Sequence, residues 1–423
     1  MQSCAPHEAG RRRGLPLAYR DSPEDPRPDG LRDRSRRIRE HHAPGEISRG
    51  AEGSDKTDMS IRICKHFREC GGCTYLDKPY EDQLEEKVSR AEKLLEARAE
   101  EIHPSPRQYY YRNRMDFVVS EGPVIGLNRK GSWSETIDIE ECLLQSSESD
   151  IIRNLFRDYL KGHGISGWNR TERRGDVRFL TIIEGKFTDE RMILVVAYNE
   201  IPLQEFLAKL EEGSVPFNSL LLGINREVRD DARAEDIRAI RGSETIMERI
   251  GEFTYLLHPN VFFQPNPYVL ERMMRTVLSF LDLRGGERVL ELFSGPGTFT
   301  VPLATWGHAR VTAVEASPAA ARIAGMNLKL NRVGSAEVVN ERAERVSLKY
   351  DYVVVDPPSS GLSYKLVKRL RRASPRKLLY ISCNPETMVR DVRQLGYRID
   401  RLSLIDQFPQ TPHLEAIALL RRG

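Results

Sequence analysis

The chain has 423 residues, 39% apolar and 30% charged, with Lys+Arg 65 against Asp+Glu 62 and a net charge of +3. That length suits one to three domains, and the composition suits a soluble protein with a sizeable core. Its longest apolar runs, such as Met192–Tyr198 and Tyr352–Val355, fall short of the ~18–20 residues that span a bilayer. No apolar stretch follows the N-terminal arginines as it would in a secretory leader, so a cytoplasmic chain with no membrane partner is expected.

Residues 1–58 come first. Arg11–Arg39 holds ten Arg and five Asp/Glu among Pro and Gly, with almost no periodic apolar residues. Such a stretch buries too little surface to offset the entropy of ordering. It reads as a disordered basic tail, or as a misassigned start with Met59 the true initiator. In the segment 59–104, Cys64, Cys70 and Cys73 crowd into ten positions, and Leu84, Val88, Ala91 and Leu95 then recur at helical spacing. With Cys142 the cluster offers four soft ligands, which suit Zn²⁺ or an iron–sulfur cluster. Only one Cys-x2-Cys knuckle is present, and the three-plus-one pattern leans towards [4Fe–4S].

Residues 105–255 alternate short apolar runs (Met115–Val119, Phe179–Ile183, Met192–Ala197) with helical stretches, predicting an α+β central domain with several hairpins. Gln108-Tyr-Tyr-Tyr-Arg-Asn-Arg114 interleaves aromatics with Arg, a composition suited to base stacking and phosphate contact. A strand edge with its tyrosines in the core is the alternative.

Within 256–423 the pattern becomes strand alternating with helix: Val289–Phe293, Val311–Glu315, Ala336–Asn340, Tyr352–Asp356 and Leu378–Ser382, closed by strand-like runs at Ile399–Ile405 and His413–Leu420. Such alternation predicts an α/β fold with a parallel sheet covered on both faces. Gly295 and Gly297 form a turn after the first strand, but Thr300 stands where a third glycine would complete a pyrophosphate fingerprint. Glu315 ends the next strand, where an acid can accept both ribose hydroxyls. A Gly-x-Gly turn with this acid suits S-adenosylmethionine, a nucleoside without phosphates.

Asp356-Pro-Pro and Cys383 each follow a strand of the same sheet, which sets both at the carboxyl edge, where ligands bind. A thiolate beside a methyl donor has a specific use. The C5 carbon of uracil is a weak nucleophile until a thiolate adds at C6, and a base must afterwards remove the C5 proton. Glu415, near the start of the last strand, supplies that base if this strand runs antiparallel beside the strand of Cys383. Otherwise it is an ordinary exposed strand carboxylate. Lys365–Lys377 holds seven basic residues in thirteen and no acid, either an RNA-facing surface or a solvated helix face.

Seven segments taken together resemble the RNA uracil-C5 methyltransferase family, whose members act on 23S rRNA or on the T-loop of tRNA. They are Cys64-Lys-His-Phe-Arg-Glu-Cys-Gly-Gly-Cys, Tyr111-Arg-Asn-Arg-Met-Asp-Phe, Phe262-Phe-Gln-Pro-Asn, Leu292-Phe-Ser-Gly-Pro-Gly-Thr-Phe, Asp356-Pro-Pro, Ser382-Cys-Asn-Pro and His413-Leu-Glu, and the match runs over roughly 85% of the chain. The resemblance implies a C-terminal seven-stranded Rossmann-like class I methyltransferase sheet whose seventh strand is antiparallel and next to the fifth. It implies S-adenosyl-L-methionine as cofactor, held by Gln264, Phe293, Glu315 and Asp356 with Thr298 in addition, beside the Gly295 and Gly297 turn, and it sets Asp356 either on the uracil edge or beside the methyl donor. It further implies Cys383 as the C6 nucleophile, Glu415 as the base, and Cys64, Cys70, Cys73 and Cys142 as ligands of a [4Fe–4S] cluster. The implied enzyme is an RNA (uracil-C5)-methyltransferase, a monomer that modifies rRNA or tRNA.

Two departures stand out. Residues 1–58 show no strand pattern of the small β-barrel RNA-binding domain (TRAM) found in many members, so substrate capture is expected of the central domain and cluster region. Ser359-Ser360-Gly361 also stands where members usually carry Arg after Asp-Pro-Pro. Two rival functions remain open. Asp356-Pro-Pro also resembles the motif of amino-group nucleic-acid methyltransferases, and a non-catalytic iron–sulfur RNA-binding protein would need neither Cys383 nor Glu415.

Overall fold

The computed structural model of the protein describes residues 61–227 and 230–422. The basic stretch and the two readings offered for it lie outside the described residues. Residues 58–423 form one compact unit.

The cysteine loop leads into helix α1 (Tyr80–Leu95), which buries Leu84, Val88, Ala91 and Leu95 as their spacing predicts, and then into the short strand β1 (Glu101–His103). A seven-stranded central sheet follows. It is built from β2 (Arg114–Ser120), β3 (Val124–Asn128), β4 (Thr136–Asp138), β5 (Val177–Glu184), β6 (Arg191–Ala197), β7 (Ser219–Ile224) and β8 (Asp236–Arg241), with helices α2 (Ser147–His163) and α3 (Gln204–Glu212) in the connections. Its order is β4-β3-β2-β5-β6-β7-β8. Every pair is antiparallel except β6–β7, whose crossover is α3. Local chemistry sets the bounds of α2: the Ser146 hydroxyl accepts from the Ser149 N–H at the start, and Gly164 ends the helix at φ 62°, a conformation glycine adopts without strain.

Strands β5 and β6 are buried along their whole length. Phe179, Ile183, Met192, Leu194 and Val196 face a core shared with the C-terminal region, while Leu180, Ile182, Ile193 and Val195 face α2 and α3. Burial on both faces explains why these strands read as continuous apolar runs.

The hairpin β9 (Ile246–Ile250) and β10 (Phe253–Leu257) and the helix α4 (Pro267–Leu281) join this core to the second sheet. There β11 (Arg288–Leu292), α5 (Thr300–Thr305), β12 (Arg310–Glu315), α6 (Pro318–Leu330), β13 (Ala336–Asn340), β14 (Tyr352–Val355), α7 (Tyr364–Ala373), β15 (Lys377–Ser382), α8 (Pro385–Leu395), β16 (Tyr397–Ile405) and β17 (Glu415–Arg422) succeed one another. The sheet order is β1-β16-β17-β15-β14-β11-β12-β13. The seven C-terminal strands match the expected α/β sheet, with β17 antiparallel to both β15 and β16. An eighth strand was not expected: β1 adds to the edge, parallel to β16, pairing Glu101 with Ser403 and His103 with Ile405. Three residues carry too little periodicity to announce themselves as a strand, which is why the sequence pattern passes over β1.

Candidate active site

Five neighbouring strands present their carboxyl or turn ends in one row. The last pair of the β15–β17 ladder is Ser382 with Ala416, so the next residues, Cys383 and Glu415, lie opposite each other where β15 ends and β17 begins. Asp356 follows β14, whose Val355 pairs with Tyr380 of β15. Phe293 follows β11, and Glu315 closes β12. Cys383, the carboxylates and the glycine turn thus share the edge that the strand alternation predicted.

Burial dominates the electrostatics. Glu415 is 3% exposed and its carboxyl is held well above the ordinary range by burial and by the Asp356 charge. Burial alone pushes Asp356 up to about 7. The Cys383 thiol, partly exposed, is pushed up to about 12 by burial first and then by the charges of Glu415 and Asp356. One feature opposes this. Asn384 caps α8 by accepting from the Glu386 and Thr387 N–H groups, so Cys383 stands just ahead of a helix N-terminus, which favours a thiolate. A helix dipole contributes ~1 kcal/mol or less at such a site, too little to outweigh burial and two carboxylates. Gln264 Nε2 donates to Asp356 Oδ2 at 3.2 Å, and the Gln264 carbonyl accepts from Asn113 Nδ2 at 2.9 Å. Asn113, just ahead of β2, therefore holds the loop that touches Asp356.

At the nucleotide end, Gly295 and Gly297 take φ of 54° and 83°, and Phe293 is itself left-handed at 63°, a conformation that costs a side chain ~1–2 kcal/mol. Glu315 stabilises the turn by accepting from Gly295 N–H at 3.0 Å and Ser317 N–H at 2.6 Å. Asn327 Nδ2 donates to the Pro296 carbonyl at 2.9 Å, and Tyr255 OH to the Thr298 carbonyl at 3.0 Å. The arrangement offers a nucleoside an acid, a backbone it can approach closely and an apolar side chain.

Residues 232–423 match the family model described as tRNA (uracil-5-)-methyltransferase. A tRNA (uracil(54)-C(5))-methyltransferase of Pyrococcus abyssi is 37% identical over 366 residues, 84% of this chain and 85% of that protein. The 23S rRNA (uracil(747)-C(5))-methyltransferase of the same organism is 36% identical, covering 85% of each. The crystal structure of the Pyrococcus abyssi tRNA (uracil-54, C5)-methyltransferase in complex with S-adenosyl-L-homocysteine superposes with a TM-score of 0.72 at 35% identity, over 83% of this chain and 86% of that one. The chain belongs to the tRNA (uracil-5-)-methyltransferase family.

For a member of that family, the cysteine segment is the second feature of note. Cys64, Cys70, Cys73 and Cys142 line one small pocket together with Phe67, Leu76, Leu127 and Leu144. Among the described residues, no three His, Cys, Asp or Glu side chains close up as the ligands of a single metal ion would. Backbone N–H groups point at three of the sulfurs: His66 to Cys64 Sγ and Gly72 to Cys70 Sγ, each at 3.4 Å, and Leu144 to Cys142. Burial raises all four thiols, Cys142 to about 11. The charges of Arg112 on Cys73 and of Arg153 on Cys70 and Cys142 oppose that rise, and Arg112 Nε and Arg153 Nη1 have no hydrogen-bond partner.

Next to this segment opens a cleft of about 800 Å³ whose walls include Arg112, Arg114, Arg129, Lys130 and Arg233, with Asp116 the one acidic lining residue. Phe263, Pro265 and His413 also line it, and these flank Gln264 and Glu415. The tyrosine run divides. Tyr111 is fully buried, with its hydroxyl donating to the Pro409 carbonyl at 3.0 Å, so it belongs to the core and offers no stacking face. Tyr109 and Tyr110 lie under the Arg62 guanidinium at 5.8 and 5.3 Å. Lys365, Lys368, Arg371 and Arg372 are exposed along α7. Sequence reasoning passes over Glu291 on β11. It is fully buried, accepts from Thr300 Oγ1 at 2.6 Å and is pushed up to about 8, so it stays protonated beneath the glycine turn.

Because only the thiolate alkylates and the Cys383 thiol is raised, its rate of reaction with iodoacetamide should climb about tenfold per pH unit from about pH 8 to about pH 10 without a plateau. Peptide mass mapping of Cys383 checks this. A rate that levels off near neutrality would contradict it.

Proposed function

We propose that this chain transfers a methyl group from S-adenosylmethionine to C5 of a uridine in folded tRNA or rRNA. The observation that carries the reading is the placement of Cys383 opposite Glu415 across the β15–β17 ladder, with Asp356 on the next strand. Its support from likeness is that the tRNA and 23S rRNA relatives are named for this reaction and that the solved relative holds S-adenosyl-L-homocysteine, the demethylated form of the donor.

Cys383 releases its proton to solvent and adds as the thiolate to C6, making C5 an enolate carbon. That carbon takes the methyl group from the sulfonium. Glu415 then removes the C5 proton, the C5–C6 double bond re-forms and the thiolate leaves. A positive sulfonium beside Asp356 and Glu415 favours their ionised forms, and its loss on transfer raises their proton affinity. Glu415 is thus a weak base while the donor is charged and a stronger one when the C5 proton must come off. Gln264, Phe293, Gly295, Gly297, Thr298, Glu315 and Asp356 form the donor's site, and Gln264 orients Asp356.

The basic cleft beside Gln264 and Glu415 is the route by which RNA reaches the edge. To expose C5 and C6 the target base must leave its stack, which favours a loop uridine. The exposed cations of α7 add phosphate contacts, and such contacts weaken with salt. Cys64, Cys70, Cys73 and Cys142 would hold a [4Fe–4S] cluster. The three inward-pointing N–H groups and two unpartnered guanidinium nitrogens suit an anionic cluster of thiolates. Bound there, the cluster supplies a cross-link between the three-cysteine loop and the segment that leads into α2.

RNA containing 5-fluorouridine, which lacks a removable C5 proton, should trap the enzyme as an adduct of intact protein and RNA, and Cys383→Ala should abolish both adduct and methyl transfer. Transfer that survives Cys383→Ala would select amino-group chemistry instead. Glu415→Gln should lower turnover by about 10²–10⁴-fold, the range for loss of a general base, and leave a persistent adduct on ordinary RNA. Rapid turnover by that variant overturns its role. Anaerobically purified protein should contain iron and sulfide and absorb broadly near ~400 nm, as thiolate-bound clusters do. Stoichiometric zinc would end that assignment.

A further inference from the structure

The β16–β17 hairpin is closed by residues 406–414, and its last paired residues are Ile405 and Glu415. Whatever fixes the 406–414 turn therefore sets where Glu415 stands relative to Cys383. The turn is gripped from outside its own sheet. Lys87 of α1 donates from Nζ to Asp406 Oδ1 at 2.8 Å and to the Phe408 carbonyl at 2.9 Å, and both charged side chains are 0% exposed. Gln83, one turn earlier on α1, donates from Nε2 to Gln410 Oε1 at 2.9 Å and accepts from the Gln410 N–H at 3.0 Å. The Gln410 carbonyl accepts from the N–H groups of Thr74 and Tyr75 at 2.8 and 3.1 Å. Gln410 is meanwhile left-handed, with φ of 68°.

A hairpin needs none of this to close, since two to five residues suffice. The longer turn here contains a side-chain residue in an unfavourable backbone region and leans on an ion pair withdrawn from water. Such a pair is no better for stability than well-packed apolar side chains. What it does supply is a defined geometry, because both partners must meet at one place.

We propose that Gln83 and Lys87 are positioning residues for proton removal: through Gln410 and Asp406 they fix the 406–414 turn, and with it the placement of Glu415 against the Cys383-bound ring. The inference rests on the roles proposed above for Cys383 and Glu415. It assigns α1 a part in catalysis through contacts with the 406–414 turn. Because Thr74 directly follows Cys73, the cysteine segment grips the same turn.

The test uses the full chain and two variants. Gln83→Ala removes the paired amide contacts. Lys87→Met with Asp406→Leu exchanges the buried pair for apolar side chains of similar size, a replacement that proteins tolerate. With ordinary RNA, each folded variant should show kcat lowered ~10- to 100-fold, the scale of an ångström-sized displacement. The ratio kcat/KM for S-adenosylmethionine should stay within about twofold, since donor binding and methyl transfer are untouched. The distinguishing readout is a denaturant-stable enzyme–RNA adduct accumulating at steady state, because addition and methyl transfer proceed while release stalls. Overturning results are normal turnover, turnover lost with no adduct, or failure of both variants to fold, each of which would make these contacts packing alone. Failure of the underlying reading looks different: the unaltered enzyme would then form no adduct with 5-fluorouridine RNA.

Discussion

The reversal of one strand governs the chemistry available to this fold. In a sheet whose strands all ran the same way, the first residue of β17 would lie at the amino edge. Six residues of β15 at ~3.3 Å each would then put it about 20 Å from Cys383. Because β17 enters antiparallel between β15 and β16, its first residue comes instead to the carboxyl edge. There Glu415, Cys383 and Asp356 stand on adjoining strands, and the glycine turn and Glu315 follow on the next two. Register carries most of the positioning, and side-chain contacts refine it.

That edge is also where the protein tolerates its most unfavourable electrostatics. Glu291 and Glu415 are buried acids and Asp356 a half-buried one, all with raised proton affinity, and Cys383 shares their surroundings. Left without a cation, such a site retains protons. A ligand bearing positive charge is thus favoured both by attraction and by the ionisation it releases in the carboxylates. The basic cleft next door has the opposite character, with five cationic side chains and one acid along its walls. Positive and negative side chains are thus sorted to adjacent but distinct surfaces.

Much of this was legible in the sequence, for local reasons. Each strand of the C-terminal sheet is an apolar run bounded by turn residues, so their order was readable, and Gly295, Gly297, Glu315, Asp356 and Cys383 follow from standing at strand ends. The antiparallel course of β17 came from the family resemblance and was otherwise a condition, since nothing in His413–Leu420 encodes direction. Other features depend on contacts between distant segments and leave no periodic trace. Lys87 and Gln83 look like solvated helix residues until Asp406 and Gln410 are brought against them. Tyr111 looks like a stacking surface until the Pro409 carbonyl meets its hydroxyl. Glu291 sits among apolar neighbours in β11 with no spacing signal to mark it.

The edge strand β1 carries a consequence for how the molecule is made. Its partner β16 lies about three hundred positions downstream, and Lys87 is 319 residues from Asp406. A chain leaving the ribosome must keep both groups waiting until almost its last segment has emerged. Contacts so far apart close slowly, and meanwhile an unpaired edge and an ammonium group without its counter-charge stay open to water. Loss of β16 and the 406–414 turn would therefore leave β1 without its neighbour and Lys87 without its counter-charge. Helix α1 and strand β1 settle fully once β16 and the 406–414 turn are there to meet them.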